Sequence, residues 1–202
     1  GLPSIGGKDS MSGTFDKIDV PPTLCSFAVD IAKLQDVVTP ELKKANNVLI
    51  KLDIKKDAYD LPDYESLDTL YTEITRLIRE GLVQSAYAVG FGGVCEAVSK
   101  MAFGNGFGVK IEETFPVEEL FAKDYGSLIL EVTKRDLRKI TAEYKKVGVV
   151  TEKPQFVYGK TVIPLKDALT QWTSRLESVF PTASGVEKEK LEDHLHFVKH
   201  IY

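Results

Sequence analysis

Residues 82–104 run LVQSAYAVGFGGVCEAVSKMAFG and predict a strand, a glycine-rich turn and a helix in succession. We expect the strand over Leu82–Val89 and the turn over Gly90–Gly93. The helix is expected over Val94–Phe103, because apolar residues recur there at helical spacing and Gly104 follows as a stop. Its inward positions would be Val94, Ala97, Val98 and Met101. A strand that turns directly into a helix is typical of a sheet layered with helices.

The segments on either side alternate between the same two types of structure. Residues 64–80 predict a helix, because apolar side chains recur every three or four residues and Gly81 can end it. Further helices are predicted over 136–147, with Asp136 as the N-cap, and over 165–180. Strands are predicted over 23–32, 47–54, 108–112 and 127–133, with a hairpin over 149–164 that turns at Gly159. The hairpin favours a three-layer α+β fold, a mixed sheet with helices, over a purely parallel sheet.

Composition limits the classes of protein to which this chain can belong. Its 202 residues, 43% of them hydrophobic, suffice for one domain or for one domain with an appendage. A net charge of −4 and a pI near 5.5 argue against a nucleic-acid or anionic-membrane surface. No apolar run approaches the ~20 residues that span a bilayer, and no signal-peptide pattern opens the chain. Cys25 and Cys95 lie in apolar stretches, so we expect buried free thiols and a reducing cytoplasm.

Residues 6–14 are the strongest candidate for an anion-binding segment. They contain three glycines, one lysine and three hydroxyl side chains. Glycine lets a backbone approach a phosphate with its N–H groups, and lysine adds a point charge. A P-loop is excluded, because it needs Lys followed directly by Ser or Thr, whereas Asp9 separates Lys8 from Ser10. A different phosphate-contacting loop and a plain glycine-rich connection stay equally open.

The remaining polar residues are best explained without a ligand. The Gly90–Gly93 cluster precedes a helix, where anions bind well, but tight packing of strand against helix is the favoured explanation. His196 and His200 are four residues apart, yet no Cys or carboxylate completes a metal site with them. Together with His194 they fall in residues 186–202, a charged helix that we expect to be appended to the core. We therefore predict no catalytic residue and no metal ligand in this chain.

Three stretches together resemble the phosphoribosylformylglycinamidine synthase family. LPSIGGKDSMS at 2–12 resembles its Gly-Lys-Asp-Ser-Met-Ser segment. The match continues through PPTLCSFA at 21–28 and VTPEL at 38–42. AYAVGFGGV at 86–94, which runs into EAVSKMAFG at 96–104, resembles the strand-glycine-helix segment of the same domain. The resemblance covers about residues 1–182 and implies the fold of the C-terminal domain of aminoimidazole ribonucleotide (AIR) synthase, which selenophosphate synthetase shares.

The family resemblance also implies a place for this chain in a larger polypeptide. In the long enzymes of the family, two related halves each pair an N-terminal domain with a C-terminal domain, and a glutaminase domain follows. Residues 1–22 would enter from the preceding N-terminal domain, and residues 23–182 would be the C-terminal domain of the second half. Residues 183–202 would form a linker or an appended helix towards the glutaminase. The implied partners are those two neighbouring domains, with neither nucleic acid nor membrane.

An activity of the whole polypeptide follows from the same resemblance. The family are cytoplasmic carbon–nitrogen ligases of purine biosynthesis, which convert formylglycinamide ribonucleotide to its amidine with ATP and glutamine. The implied cofactor of the full-length protein is ATP or ADP with Mg²⁺. The nucleotide-binding residues implied for this chain are Gly7, Lys8, Asp9 and Ser10. The domain alone is expected to be inactive and to bind no cofactor.

One departure separates this chain from many family members. They carry His-Asp-x-Ser-Asp-Gly-Gly before the helix, and its Asp and Ser contact magnesium and nucleotide phosphates. Here Tyr87, Ala88, Gly90 and Phe91 occupy the four polar positions, and none provides a charged oxygen for a metal. We therefore expect the non-catalytic half of the enzyme, in which this domain is structural or frames an auxiliary nucleotide site. The alternatives are a purely structural scaffold without nucleotide and another member of the AIR synthase superfamily.

Overall fold

The computed structural model describes residues 2–10 and 13–183, and of Ser10 and Phe15 only the backbone. The strands are β1 (Gly6–Ser10), β2 (Gly13–Phe15), β3 (Ile18–Val20), β4 (Thr23–Phe27), β5 (Val48–Leu52), β6 (Val83–Ala88), β7 (Gly108–Ile111), β8 (Leu128–Val132), β9 (Lys145–Thr151), β10 (Gln155–Tyr158) and β11 (Thr161–Pro164). The helices are α1 (Tyr64–Arg79), α2 (Gly93–Asn105), α3 (Val117–Phe121) and α4 (Leu165–Thr173), and 3₁₀ turns lie at Leu34–Asp36, Asp136–Lys139 and Ser174–Leu176.

Seven strands form one mixed sheet in the order β11-β10-β7-β9-β5-β8-β6. All five residues of β5 are buried, and this strand pairs antiparallel with both β8 and β9. The β10–β7 pair is parallel, whereas the other pairs in this sheet are antiparallel. The predicted mixed sheet is therefore confirmed. The hairpin predicted to turn at Gly159 is present as β10–β11.

Helices cover both faces of this sheet. The carboxylate of Asp63 accepts a hydrogen bond from the Ser66 N–H at 2.7 Å and begins α1, which buries Ile74 and Leu77. The core on the α1 face consists of Val48, Ile50, Leu52, Ile74, Leu77, Leu82, Val83, Leu130, Val132 and Ile140. Since successive residues of a strand point to opposite faces, Leu49 joins the core on the other face.

The opposite face carries the second helix layer, formed by α2 together with α3 and α4. Its core consists of Leu42, Leu49, Val89, Val94, Ala97, Val98, Met101, Ala102, Val109, Ile111, Phe115, Leu120, Ile129, Val147, Val150 and Leu165. The four inward positions predicted for the second helix are all among them. The predicted three-layer arrangement of helices on a mixed sheet is therefore confirmed.

The N-terminal residues form two short ribbons apart from the seven-stranded sheet. β1 pairs antiparallel with β4, and β2 pairs antiparallel with β3. All five residues of β4 are exposed, so the prediction of a buried strand over 23–32 is wrong in its burial and too long. The physical reason is that β4 pairs with β1 and not with the large sheet, and a two-stranded ribbon has no covering layer of its own.

Two further element predictions differ from the structure. The helix predicted over 136–147 is wrong, because only the 3₁₀ turn Asp136–Lys139 forms and Lys145 already begins β9. Strand β9 lies between β5 and β7, so long-range pairing outweighs the local helical spacing. The helix predicted over 165–180 ends earlier, at Thr173, and continues only as a 3₁₀ turn.

The cysteine prediction is correct in part. Both thiols are free, but Cys25 is exposed on β4, so its expected burial is wrong. Cys95 is half-buried in α2, where burial raises its pKa to about 11. The three histidines and the helix predicted over 186–202 lie outside the described residues. Among the residues described, no helix is both long and apolar enough to cross a membrane.

Candidate functional site

The segment predicted to contact phosphate is a strand rather than a loop. Gly7, Lys8 and Asp9 lie in β1, and they pair with the β4 residues from Leu24 to Ser26. A Cβ on Gly7 would lie 2.7 Å from the carbonyl oxygen of Cys25, so the glycine is explained by close pairing of the two strands. The Lys8 ammonium is exposed and donates to the Asp9 carbonyl oxygen at 2.6 Å.

Ser10 ends this strand, and its backbone pairs with Thr23. The four predicted residues therefore follow one another along an exposed ribbon. They are not gathered around a concave cradle, because successive side chains of a strand alternate between its two faces. Their contact with a nucleotide stays a prediction.

The glycine-rich turn between β6 and α2 is shaped by packing. Gly93 adopts φ +69°, a left-handed conformation that favours glycine. A Cβ there would lie 2.6 Å from the Ala122 carbonyl oxygen and 2.8 Å from that of Leu120. The backbone of α3 thus approaches the turn too closely for any side chain. This geometry agrees with tight packing as the reason for the glycines.

The N-terminus of α2 already carries a carboxylate from its own first turns. The Gly92 N–H donates to Glu96 Oε2 at 2.7 Å, and Glu96 Oε1 pairs with the Lys100 ammonium at 2.6 Å. The hydrogen bond from Lys100 and that from the Gly92 N–H together lower the pKa of Glu96. Helix N-termini attract anions, and here the anion is supplied by the helix itself.

The four positions where the family pattern predicts polar ligands carry no charged oxygen here. Tyr87 lies on β6 with the Lys100 ammonium 6.0 Å from its ring centre, and Ala88 ends that strand. The Phe91 side chain is 78% exposed and is apolar, so it offers no ligand atom. The Gly90 carbonyl oxygen accepts the N–H of Asp124 at 3.1 Å, so even this backbone oxygen has a partner within the chain.

A charged cluster that the sequence did not reveal lies next to the turn. Asp124 Oδ2 binds the buried Lys51 ammonium at 2.7 Å, and Oδ1 binds Lys56 at 2.6 Å. Lys51 also pairs with Asp53. Burial alone would raise the pKa of Asp124, but its hydrogen bonds from Lys51 and Lys56 outweigh burial and lower it. For Lys51 burial would lower the pKa, and the bonds to Asp124 and Asp53 raise it instead.

This cluster leaves no open carboxylate for a metal. Both oxygens of Asp124 are occupied by ammonium groups. Across the part of the chain that the structure describes, no group of three or more His, Cys, Asp or Glu side chains is placed to hold a metal ion. Mg²⁺ needs oxygen ligands that are free to bind it. The carboxylate oxygens around the turn already bind ammonium groups or a backbone N–H, so these residues do not fit Mg²⁺. A lysine in the apolar run of β5 was the one sequence signal that could have indicated the cluster.

A second buried charge, Glu131, organises the centre of the sheet. Its Oε2 accepts hydrogen bonds from the Ser85 hydroxyl at 2.7 Å and the Lys43 N–H at 2.8 Å. Its Oε1 accepts from Asn47 Nδ2 at 2.7 Å and the Lys44 N–H at 3.1 Å. Both carboxylate oxygens are therefore satisfied from within the chain, which assigns Glu131 to the structure and not to a reaction.

A groove of about 930 Å³ lies between the first half of α1 and residues 141–145. Five acidic side chains line it, against two lysines: Asp53, Asp63, Glu65, Glu73 and Glu143, with Lys55 and Lys145. A phosphate would be repelled by this excess of negative charge. The groove therefore gives no second place for a nucleotide.

Comparison with known proteins identifies relatives of this fold. A family model described as AIR synthase related protein, C-terminal domain, matches residues 43–159. The phosphoribosylformylglycinamidine synthase subunit PurL of Pelagibacter ubique (strain HTCC1062) is 27% identical over 87% of this chain and 28% of its own length. The chain therefore spans less than a third of that curated relative.

Two solved structures show the same architecture. Thermotoga maritima PurL complexed with AMPPCP has a TM-score of 0.59 and 18% identity, covering 82% of this chain and 31% of that one. The structure of PurLQS from Thermotoga maritima has a TM-score of 0.56 and 18% identity, covering 71% and 29%. At this identity, the likeness concerns the fold.

Proposed function

The chain belongs to the family described as AIR synthase related protein, C-terminal domain, and on that premise we propose that it is the C-terminal domain of the second half of a phosphoribosylformylglycinamidine synthase. The whole enzyme would use ATP to activate the amide oxygen of formylglycinamide ribonucleotide. Ammonia from glutamine would then give the amidine, in the cytoplasm. The PurL subunit of Pelagibacter ubique, which resembles most of this chain, supports the proposal.

Within that enzyme we assign this domain a non-catalytic role. The observation that carries this assignment is the self-contained turn before α2. Glu96 occupies the helix N-terminus, and Lys51 and Lys56 occupy Asp124. No side chain at the turn is left to bind magnesium or to activate a substrate.

The nucleotide of the full-length enzyme would then be held mainly by other domains. A Thermotoga maritima PurL is complexed with AMPPCP, which supports nucleotide use in the whole protein. We propose that Gly7, Lys8, Asp9 and Ser10 contribute an auxiliary phosphate contact from the exposed ribbon. The charge of Lys8 is accessible for this, because its ammonium is exposed and, among the described residues, it donates to a backbone carbonyl oxygen rather than to a carboxylate.

The proposed partners are the preceding N-terminal domain and the downstream glutaminase domain of the same polypeptide. Supporting this, residues 2–37 expose many apolar side chains: Leu2, Ile5, Ile18, Val20, Leu24, Phe27, Val29, Ile31, Leu34 and Val37. So many exposed apolar groups in one segment indicate a contact surface. The name PurLQS describes a related protein together with further components, which also supports an assembly.

Titration of the 202-residue chain with Mg-ADP tests whether its site is incomplete. Isothermal calorimetry is expected to give no binding in the micromolar range. Micromolar binding without the neighbouring domains would contradict the proposal, because a site able to bind on its own would then exist in this chain.

A second experiment separates the auxiliary phosphate contact from a purely structural scaffold. The full-length protein is purified with Lys8→Ala, and Lys17→Ala in the neighbouring ribbon is the matched control. The auxiliary contact predicts less co-purifying nucleotide for Lys8→Ala alone. Unchanged nucleotide content and stability in both variants would favour the purely structural scaffold. The N-terminus of α2, which Glu96 already occupies, is the observation that supports this alternative.

A further inference from the structure

A cavity of about 380 Å³ lies in the helix layer, between α2, α3, α4 and the β10–β11 hairpin. We call this space the hairpin cavity. Its walls are mainly apolar and include Val98, Ile111, Leu120, Phe156 and Ile163. Two lining residues of α3, Val117 and Phe121, are 44% and 66% exposed, so the cavity is open to solvent beside this helix. Since secondary-structure elements surround the space on several sides, it is a pocket and not an open face of the sheet or of one helix.

The hairpin cavity exists because short side chains meet where the core would otherwise be filled. Cys95 and Ser99 lie four residues apart on α2 and therefore on one face of that helix. Ala168 of α4 lines the same space. Protein interiors are normally packed without voids of this size, because the atoms that line a void lose their contacts. A molecule that fills the cavity would restore those contacts.

Contacts within the chain hold the walls of the hairpin cavity in place. The Tyr158 hydroxyl of β10 donates to the Phe115 carbonyl oxygen at 3.1 Å, which ties the hairpin to the residues before α3. The Phe156 ring meets Phe103 of α2 edge-on, with 6.5 Å between ring centres. The cavity is therefore formed without a ligand, and binding would need little reorganisation of its walls.

The polar groups of the hairpin cavity are few and neutral. The hydroxyls of Ser99 and Thr161 line it, and neither has a hydrogen-bond partner among the described residues. The Cys95 thiol is the third such group, and burial raises its pKa to about 11, so it stays protonated at neutral pH. No charged side chain of the described residues lines the cavity. A charged molecule would find no opposite charge there, whereas a neutral apolar molecule with one hydrogen-bonding group fits this lining.

The volume of the cavity limits the size of what it can hold. An apolar cavity of about 150 Å³ in another protein stays dry and binds benzene. The hairpin cavity, at about 380 Å³, has room for a second fused ring and a substituent. One turn of an α-helix, with a diameter of about 10 Å and a pitch of about 5.4 Å, occupies about 420 Å³, so a helix does not fit. The space therefore suits a small molecule.

We propose that the hairpin cavity is a binding site for a neutral aromatic molecule of about two fused rings. The rings would lie among the apolar walls, and the polar group of the molecule would bind the Ser99 hydroxyl. The site does not depend on the proposed enzymatic function, because none of the residues assigned to the auxiliary phosphate contact lines it.

Protection of Cys95 by 2-naphthol tests the proposal. The chain has two cysteines, so Cys25→Ser leaves Cys95 as its one thiol. For a probe of eleven non-hydrogen atoms we expect a dissociation constant on the order of 0.1–1 mM. At about 1 mM 2-naphthol, the reaction of Cys95 with N-ethylmaleimide at pH about 8.5 should then be about two- to tenfold slower. An unchanged rate would overturn the proposal.

Ala168→Phe, made in the Cys25→Ser chain, fills the cavity from α4. Thr170→Phe is the matched control, because it adds the same ring at an exposed position of the same helix that does not line the cavity. We expect 2-naphthol to slow the labelling of Cys95 in Thr170→Phe and to leave it unchanged in Ala168→Phe. Equal slowing in both variants would contradict binding inside the cavity. If circular dichroism shows that Ala168→Phe does not fold, Ser99→Leu fills the cavity from α2 and takes its place.

Two further measurements test the hydrogen bond and the nature of the occupant. In calorimetric titrations, Ser99→Ala should bind 2-naphthol about two- to tenfold more weakly, and an unchanged affinity would contradict the bond to Ser99. Without 2-naphthol, the labelling rate of Cys95 should be independent of protein concentration. Slower labelling at higher protein concentration would assign the cavity to a side chain of a second copy and overturn the proposal.

Discussion

Replacing Gly93 with alanine tests why the turn before α2 is rich in glycine. A residue with a Cβ at φ +69° costs about 1–2 kcal/mol. The new Cβ would also lie 2.6 Å from the Ala122 oxygen and 2.8 Å from the Leu120 oxygen, which are backbone atoms and can move only with α3. Overpacking of this kind costs about 1–3 kcal/mol. We therefore expect Gly93→Ala to lower the free energy of unfolding by about 3 kcal/mol.

Gly106→Ala is the matched control for this prediction. Gly106 has nearly the same conformation, φ +73°, but a Cβ there meets no atom within 4 Å. Only the conformational cost, about 1.5 kcal/mol, then applies. In a domain of this size each kcal/mol shifts the melting temperature by roughly 2–4 °C. Thermal unfolding followed by circular dichroism should therefore give a melting temperature about 6–12 °C lower for Gly93→Ala and about 3–6 °C lower for Gly106→Ala. Equal losses in the two variants would refute the close approach of α3 as the reason for the glycine.

Three other predictions concern buried or reactive groups. Glu131→Gln should lower the free energy of unfolding in urea titrations by about 3 kcal/mol, because the new NH₂ group would face hydrogen-bond donors. The control is Glu143→Gln at an exposed position, which should change the free energy of unfolding by less than about 0.5 kcal/mol. Hydrogen bonds from the Thr133 hydroxyl and from Lys139 lower the pKa of Asp136 to about 2. Its contribution to stability is therefore complete above pH about 4 and is lost as the pH falls towards 2. Between pH 6 and pH 2 the melting temperature should decline less for Asp136→Asn than for the unchanged protein. Of the two thiols, Cys25 should react with a maleimide at once and Cys95 only slowly at pH 7, so Cys25→Ser should abolish the fast phase, and a remaining fast phase would contradict the burial of Cys95.

The parts of the fold that the sequence predicts are those with a local signal. α1 was predicted within one residue of its observed end, because its apolar stripe repeats over four turns and Asp63 caps its start. The predicted helix over 136–147 had similar spacing but only three turns. There the pairing of β9 with two neighbouring strands decided the outcome, and that information lies in residues far away in the sequence.

The burial of β4 was mispredicted for a different reason. The apolar residues of Thr23–Phe27 predict burial against an apolar surface, but the sequence does not say whether the described chain supplies that surface. In the described chain β4 pairs only with the glycine-rich β1, so its apolar side chains stay exposed. Likewise, Asp124 and Lys51 are more than seventy positions apart in the sequence, and only folding brings them into contact.

The turn before α2 has the two features that an anion or metal site would use, a helix N-terminus and an adjacent carboxylate. Both are already neutralised within the chain, by Glu96 and by Lys51 with Lys56. A phosphate at the turn would have to displace Glu96 from the Gly92 N–H and separate it from Lys100, and a cation at Asp124 would have to displace two ammonium groups. Each displacement loses charged hydrogen bonds worth about 1.5–3 kcal/mol apiece before any ligand contact forms. This cost supports the assignment of the turn to packing, and it is the reason why the auxiliary phosphate contact is proposed for the ribbon and not for the turn.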